Sequence, residues 1–178
     1  MIIIGFAGKA RYGKTTAADA IKPWLIEQGY KVDIQPLAKI MKEQAMNVGW
    51  DGKKDEKGRR LLQEISWPVK HYHGEHIYAK WALEAAENKD LDIMLIDDVR
   101  MMAEVNYYTE CKANGRIEDF ILVRIERPNF VSDLTPEQLA DCSETQLDNY
   151  HFDNVIQNDG TIEELAEKIK PIIKTVLK

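Results

Sequence analysis

Continuous apolar runs and amphipathic stretches alternate along this chain. Five short runs are rich in branched apolar residues and predict buried strands, at residues 1–7, 31–34, 91–96, 119–126 and 155–156. Apolar residues recur at helical spacing elsewhere and predict helices, at residues 15–28, 77–88, 105–113 and 161–176. Strands that alternate with helices favour an α/β fold, with a mostly parallel sheet covered by helices on both faces.

Two segments depart from this alternation. Residues 37–87 are mostly helical and amphipathic, with polar loops predicted at residues 49–58 and around the histidines of residues 71–76. Residues 128–150 form a polar connection between the last two strands. Pro23 is expected to kink or restart the first helix, because proline lacks an N–H and clashes with the preceding turn. We therefore predict one domain, residues 1–178, with a helical insertion and a long connection.

The composition is that of a soluble globular protein. Of 178 residues, 44% are hydrophobic and 30% charged, and a domain of this size buries roughly 70% of its unfolded surface. The net charge of −6 argues against binding to nucleic acid polymers or acidic membranes. The sequence shows no membrane span or signal peptide, and Cys111 and Cys142 fit no ligand spacing. We expect a cytoplasmic protein with reduced thiols.

The first apolar run leads into the phosphate-loop pattern G-x-x-x-x-G-K-[ST]. Its residues are Gly8, Lys9, Ala10, Arg11, Tyr12, Gly13, Lys14 and Thr15. The glycines permit turns in which successive N–H groups point into one concavity, and the following helix adds its positive dipole end. Lys14 is expected to reach the β- and γ-phosphates, and the Thr15 hydroxyl to hold Mg²⁺. The chain is therefore predicted to bind a nucleoside triphosphate.

The third apolar run ends in Asp97, which matches the second element of phosphate-loop proteins. The carboxyl ends of parallel strands meet at one sheet edge, so we expect this carboxylate to organise Mg²⁺ beside Thr15. A helix cap or a turn residue is the simpler interpretation of such an aspartate. Asp98 points the other way and is a candidate to accept from a substrate, and Arg100 is a candidate to stabilise a transferring phosphate.

A small phosphoryl-transfer enzyme also needs a cationic acceptor pocket and a mobile arginine-bearing lid. Arg59 and Arg60 at a helix start are candidates for the pocket. Arg124 and Arg127, around the end of the fourth strand, are candidates for the lid. A solvated surface charge is the alternative for each arginine taken alone.

Further motifs follow in an order typical of one kinase family. They are Thr16 after the phosphate loop, Pro-Leu-Ala-Lys at 36–39, Gly-Arg-Arg-Leu-Leu-Gln at 58–63, Asp-Asp-Val-Arg at 97–100 with Glu104, and residues 124–128, 143–144 and 152–160. With them the chain resembles, over nearly its whole length, the phage-type deoxynucleoside monophosphate kinases of the P-loop nucleoside monophosphate kinase group. The resemblance implies a three-layer P-loop NTPase fold with a helical acceptor-binding region at 37–87 and a short lid at 128–150.

The resemblance also implies ATP-dependent phosphorylation of a deoxynucleoside monophosphate to the diphosphate. It places the ATP phosphates on the phosphate loop with Thr16, and the adenine near Asn158 and Gly160. Arg127 would be the lid arginine, acting on the transferring phosphate with Lys14 and Arg100. The residues implied around the acceptor are Lys39, Arg59, Arg60, Gln63, Asp98, Arg100 and Glu104. Residues 101–103, Met-Met-Ala, replace the aromatic residue, proline and asparagine usual in the family, which leaves the acceptor base open.

Two other interpretations remain. A kinase of another small acceptor, such as dephospho-coenzyme A or phosphomevalonate, would share the phosphate loop, and residues 158–160 before the last helix also resemble dephospho-coenzyme A kinases. A non-catalytic switch would bind ATP without acceptor-stimulated turnover. The sequence leaves open the base, the sugar and the oligomeric state, including a homodimer.

Overall fold

A computed structural model describes residues 1–53 and 55–177. Within them the strands are β1 (Ile2–Ala7), β2 (Val32–Ile34), β3 (Ile93–Ile96), β4 (Asp119–Glu126) and β5 (Asn154–Gln157). The helices are α1 (Lys14–Glu27), α2 (Lys39–Asn47), α3 (Glu56–His73), α4 (Ile77–Asn88), α5 (Met102–Ala113), α6 (Pro136–Leu139), α7 (Cys142–Thr145) and α8 (Ile162–Lys174).

The strands form one sheet in the order β2–β3–β1–β4–β5, and every pair in it is parallel. Strand β1 is central, with Ile4 paired to Leu95 on one side and to Ile121 on the other. Helices supply the crossover connections that parallel pairing requires. The predicted α/β fold and its strands are confirmed.

Burial on both faces of the sheet explains the continuous apolar runs. In β1, Ile2, Ile4 and Phe6 face the core covered by α1 and α8, whereas Ile3 and Ala7 face the core covered by α4 and α5. Successive side chains of a strand point to opposite faces, so a strand covered on both sides must be apolar at every position. Each fully buried isoleucine contributes roughly 1.5–3 kcal/mol. The sheet is therefore the rigid base from which the strand-end loops project.

The predicted loops of the helical region are shorter than the sequence suggested. Helix α3 begins at Glu56, because the Asp55 side chain accepts from the Gly58 N–H and caps it. Gly58 therefore lies inside the helix, where a Cβ would come within 2.0 Å of the Lys53 carbonyl oxygen. At its other end α3 continues to His73. The prediction of a polar loop over residues 71–76 is thus wrong for its first half.

Other features follow the sequence more closely. Helix α1 runs through Pro23 without restarting. The Thr161 hydroxyl accepts from the Glu164 N–H and the Glu164 carboxylate accepts from the Thr161 N–H, which is the predicted capping box of α8. Cys111 is a buried and Cys142 an exposed free thiol. Among the described residues, no helix has the length and apolarity needed to cross a bilayer.

Candidate active site

The phosphate loop joins β1 to α1 at the carboxyl edge of the sheet, and Thr16 lies in the first turn of α1. Gly8 and Gly13 have positive φ angles of 135° and 98°. A Cβ on Gly8 would lie 2.3 Å from the Ile125 carbonyl oxygen, so the loop packs directly on β4. Arg11 also has a positive φ, of 63°, a conformation that costs a non-glycine residue about 1–2 kcal/mol. Strain of this kind is concentrated at ligand-binding sites.

Lys14 lies inside the loop. Its Nζ donates to the carbonyl oxygens of Gly8 and Lys9, both at 2.8 Å. Burial lowers the pKa of Lys14 to about 8, with a further contribution from Arg100 that nearby carboxylates oppose. A charge held by neutral carbonyls in a buried site gains strongly from an adjacent anion. The loop is therefore prepared to exchange these carbonyls for phosphate oxygens.

The predicted magnesium ligands lie side by side. The Thr15 hydroxyl donates to Asp97 Oδ2 at 2.6 Å, although the residues are 82 positions apart in sequence. The other oxygen, Asp97 Oδ1, is buried and has no hydrogen-bond partner among the described residues. The described residues contain no group of three or more His, Cys, Asp or Glu side chains that would hold a metal by themselves. Mg²⁺ is usually held by one or two carboxylates together with substrate phosphates, so this pair fits it.

Two acidic residues predicted around the acceptor hold backbone instead. Asp98 accepts from the N–H groups of Leu37 at 2.7 Å and Ala38 at 3.1 Å, which fixes the segment before α2 to the sheet edge. Burial raises the pKa of Asp98, and the neighbouring Asp97 raises it further. Glu104 is buried, and its Oε2 accepts from the N–H groups of Arg100 at 2.8 Å and Met101 at 3.0 Å. Their substrate contacts stay a prediction, while their structural role is clear.

The guanidinium of Arg100 turns toward the connection between β4 and β5. Its Nη1 donates to the Ser143 carbonyl oxygen at 3.1 Å and pairs with the Glu144 carboxylate. Arg124 also contacts the connection, with Nη1 donating to the Leu147 carbonyl oxygen at 3.2 Å. Because Arg124 lies within β4 with its side chain 17% exposed, it is fixed to the sheet. The prediction that Arg124 belongs to a mobile lid is wrong.

The connection lies directly on the phosphate loop. The Ala10 N–H donates to Glu144 Oε2 at 2.7 Å, and Lys9 Nζ donates to Asp148 Oδ2 at 2.6 Å. No role is predicted for Glu144 or Asp148 from the sequence, although residues 143–144 belong to the motifs of the resemblance. Acidic residues in a polar connection look like solvated surface, so only the folded chain reveals these contacts.

Arg127 follows β4 and lies against the phosphate loop, and its role as the lid arginine stays a prediction. Its Nη1 contacts the Arg11 carbonyl oxygen at 3.5 Å, and its guanidinium lies 4.9 Å from the centre of the Phe130 ring. Phe130 in turn meets Tyr12 edge-on, with ring centres 6.0 Å apart. Arg11 pairs with Asp133 of the connection. The first part of the connection is thereby attached to the outer side of the loop.

Asn158 supports the phosphate loop from the end of β5. Its Nδ2 donates to the Tyr12 carbonyl oxygen at 3.0 Å, and a Cβ on Gly13 would lie 2.4 Å from the same nitrogen. Gly160 packs closely on the Glu164 carboxylate, since a Cβ there would meet Oε2 at 1.9 Å. These contacts explain both residues structurally. Their position near an adenine stays a prediction.

Two of the cations predicted around the acceptor, Lys39 and Arg60, form ion pairs within their own helices. Lys39 pairs with Glu43 at 4.0 Å in α2, and Arg60 pairs with Glu64 at 2.7 Å in α3. The Arg60 side chain is 79% exposed, so this pair contributes little to stability. Neither cation is joined to the phosphate loop by these contacts.

Gln63 links α3 to the connection. Its Nε2 donates to Asp141 Oδ2 at 3.0 Å, and Asp141 caps α7 by accepting from the Ser143 N–H. Arg59 is half-buried near the start of the same helix, with its N–H donating to the Asp55 carbonyl oxygen. Helix α3 is therefore connected to the segment that covers the phosphate loop.

The fold is shared with solved kinase structures. Two structures of the Mycobacterium tuberculosis APS kinase CysC, a cysteine-to-alanine mutant and a complex with AMPPNP and APS, superpose with TM-scores of 0.51 and 0.52. The chain has the P-loop NTPase fold. Each superposition covers 97% of this chain and 96% of the kinase chain, at 14% and 15% sequence identity. No protein-family model and no curated protein matches the sequence. At such identities the likeness establishes the P-loop NTPase fold alone.

Proposed function

We propose that this protein is an ATP-dependent phosphotransferase acting on a small acceptor, and that the acceptor is a deoxynucleoside monophosphate. The observation that carries the proposal is the 2.6 Å contact between the Thr15 hydroxyl and Asp97 Oδ2. It brings a phosphate-loop hydroxyl and a strand-end carboxylate together beside the buried Lys14. These are the parts that P-loop enzymes use to hold a nucleoside triphosphate with its metal.

The roles of the chain's residues follow from phosphoryl transfer. Lys14 exchanges its two carbonyl partners for phosphate oxygens, and Thr15 and Asp97 hold Mg²⁺, which when bound neutralises charge on the phosphates. Arg100 pairs with Glu144, which accepts from the Ala10 N–H, and Arg127 contacts the Arg11 carbonyl oxygen. Both arginines supply further positive charge to the transferring group. The acceptor oxygen attacks in line, so no covalent nucleophile is required. The connection excludes water while the two substrates meet.

Two observations support a nucleotide acceptor. Motifs that resemble phage-type deoxynucleoside monophosphate kinases contact one another through the connection, since Gln63 contacts Asp141 and Arg100 contacts Glu144. A kinase with the same fold was solved in complex with AMPPNP and APS, which shows that this fold holds an ATP analogue and a second ligand together. The base and the sugar are left to experiment.

A panel of acceptors tests the proposal. ADP formation from ATP and Mg²⁺ is measured with each deoxynucleoside and ribonucleoside monophosphate, APS, dephospho-coenzyme A and phosphomevalonate, and products are identified by mass spectrometry. We expect turnover with at least one deoxynucleoside monophosphate and its loss when EDTA removes Mg²⁺. Turnover confined to the other acceptors would reject the acceptor assignment. ATP binding without acceptor-stimulated ADP formation would reject the phosphotransferase and favour a switch.

A further inference from the structure

Three cations converge where the connection meets the sheet edge. Lys9 comes from the phosphate loop, Arg100 from the segment after β3 and Arg124 from β4. Their side chains are 25%, 29% and 17% exposed. Cations from three separate strand ends meet only if the fold brings them together, which distinguishes this cluster from a solvated surface patch. We refer to Lys9, Arg100 and Arg124 as the cation cluster.

Carboxylates of the connection neutralise the cation cluster. Glu144 pairs with Arg100 and also accepts from the Ala10 N–H at 2.7 Å, and its side chain is only 5% exposed. Asp148 pairs with Lys9 at 2.6 Å and lies 3.8 Å from Arg124. A buried carboxylate that accepts from a phosphate-loop N–H and from a guanidinium makes the contacts that a phosphate oxygen would make.

We propose that the cation cluster and the Ala10 N–H form a subsite for a phosphate group, which Glu144 and Asp148 occupy until a phosphate displaces them. The proposal rests on the proposed function only for the source of that phosphate, which is either the end of the ATP chain or the acceptor monophosphate. It shares Arg100 with the sequence-based placement of the acceptor, but Lys9 and Arg124 stand in it where that placement had Arg59 and Arg60.

Charge and space both require the displacement. Glu126 is fixed in β4 and pairs with Arg124 Nε at 3.0 Å, so three cations face three carboxylates while the connection is in place. When Glu144 and Asp148 leave, a net charge of about +2 remains, which matches a phosphate monoester of charge near −1.5 to −2. The cavity between these residues measures only about 10 Å³, roughly the space of one water molecule. A phosphate therefore enters only if the connection moves.

The connection can move because short elements hold it. Helices α6 and α7 have four residues each. Around α7 it contacts the rest of the chain through polar groups, among them Gln63, Lys9 and Arg100, whereas Leu147 near its end packs into the apolar core. Polar contacts exchange with an incoming anion more readily than a packed apolar interface opens, so the part around α7 is the part that can move. The contact between Gln63 and Asp141 links this part to α3.

Neutralising the competing carboxylate tests the subsite. Dissociation constants of the full-length protein are measured by calorimetry for inorganic pyrophosphate, for AMPPNP with Mg²⁺ and for a deoxynucleoside monophosphate. The variant Glu144→Gln keeps the size of the side chain but removes the charge that competes with phosphate. Because a neutral amide competes for the cation cluster less strongly than a carboxylate, we expect at least one of these ligands to bind about tenfold more tightly. The control Glu137→Gln makes the same charge change at an exposed position of the connection and should bind within twofold of the unmodified protein.

The pattern of tightening identifies the source of the phosphate. Tightening of AMPPNP but not of the monophosphate assigns the subsite to ATP, and the reverse assigns it to the acceptor. In either case, adding Arg124→Gln to Glu144→Gln should abolish the gain in affinity. If Glu144→Gln leaves the affinity of every ligand unchanged or lowers it, Glu144 only holds Arg100 in place and the proposal is wrong.

Two further measurements keep the result interpretable. Thermal melting shows whether Glu144→Gln is folded, and Asp148→Asn carries the same test if it is not. Tighter pyrophosphate binding without acceptor-stimulated turnover would keep the subsite and reject the proposed function. Normal turnover without any tightening would keep the proposed function and reject the subsite.

Discussion

The phosphate-loop edge of the sheet and the α2–α3 helix pair are built in opposite ways. At the phosphate-loop edge, the buried charged groups Lys14 and Glu104 are held by backbone atoms, Lys14 by two carbonyls and Glu104 by two N–H groups. In the helix pair, Lys39 and Arg60 are exposed and paired within their own helices, with Glu43 and Glu64. The buried residue of α3 is Gly58 and that of α2 is Ala45.

The difference indicates which of the two regions is preorganised for a ligand. Backbone contacts of the loop are fixed by β1 and β4 beneath it, so the site proposed for a triphosphate is formed before any ligand arrives. Exposed ion pairs contribute about 0.2–1 kcal/mol and rearrange easily. The helix pair can therefore adapt to an acceptor, and we expect acceptor choice to depend on its rearrangement and on release of the connection.

Lys14→Met removes the buried charge of the loop and should have the largest effect. Loss of one preorganised charge at a transferring group typically lowers turnover by about 10²–10³-fold, and we expect kcat to fall by about 10³-fold. The folded pKa of Lys14, about 8, lies below its ordinary 10.5. Its charge therefore destabilises the fold below pH 8, and this cost disappears as pH rises from 8 toward 10.5. The melting temperature of the variant at pH 7 should accordingly not fall.

The exposed pair of Lys80 with Glu84 provides the control. Lys80→Met makes the same substitution at an exposed lysine and should keep turnover within twofold. Near-normal kcat in Lys14→Met would contradict the role of the loop in holding phosphate. A large loss of stability would instead show that Lys14 is chiefly structural.

Arg100→Gln and Arg60→Gln compare the two regions directly. Arg100 belongs to the sheet edge and contacts the connection, so we expect its loss to lower kcat/KM for the acceptor by about 100-fold. Arg60 is exposed, so its loss should raise the acceptor KM by only about five- to tenfold and leave the ATP affinity unchanged. Steady-state kinetics with each substrate varied in turn measure both. A larger loss in Arg60→Gln would place the acceptor phosphate on α3 and reverse the comparison. Melting curves must accompany Arg100→Gln, because it leaves Glu144 without its cation.

The phosphate-loop edge was largely predictable from sequence, because local rules determine it. Gly8, Lys14 and Thr15 stand at fixed spacing after an apolar run, and Asp97 ends another such run. Parallel strands bring such ends together whatever the rest of the chain does. The 2.6 Å contact between Thr15 and Asp97 is what that argument predicts.

The connection was not predictable, because its contacts depend on long-range packing. Glu144 meets Ala10 across 134 positions and Arg100 across 44, and no periodicity encodes such a pairing. The prediction for Arg124 was wrong for a related reason, since a charged residue near a strand end looks exposed until the connection covers it. As a glycine, Gly58 suggests a loop. In the structure it lies within α3, because the Lys53 carbonyl oxygen leaves no room for a side chain there.

Glu104→Gln tests whether the sheet edge holds a charge at the expense of stability. Burial raises the pKa of Glu104 to about 7, and Asp98 adds to this, while the Arg100 and Met101 N–H groups and Lys70 oppose it. Because the folded pKa exceeds the ordinary 4.5, the stabilising contribution is full below pH 4.5 and is lost as pH rises through 7. We expect the free energy of unfolding to decline by up to about 1.4 kcal/mol per pH unit in this window. Denaturant titrations at several pH values should show a flatter profile in the variant.

Glu110 provides a control for that profile. It is exposed on α5, the helix that also contains Glu104. The variant Glu110→Gln should therefore keep the pH dependence of the unfolding free energy of the unmodified protein. An unchanged slope in Glu104→Gln would mean that another group titrates in this window. The contrast between buried and exposed carboxylates would then need a different explanation.

Asn158→Ala should have the smallest effect of these variants. It tests whether the end of β5 belongs to the preorganised phosphate-loop edge. Its side chain holds the Tyr12 carbonyl oxygen at 3.0 Å, and a net hydrogen bond of this kind contributes about 1 kcal/mol. If Asn158 positions the loop, AMPPNP and pyrophosphate should both bind about fivefold more weakly to the variant. If it contacts the adenine instead, as the resemblance implies, only AMPPNP should weaken, because pyrophosphate has no base. Asn106→Ala, at an exposed position of α5, should change neither affinity. Equal weakening of both ligands would show that the end of β5 belongs to the preorganised side of the molecule.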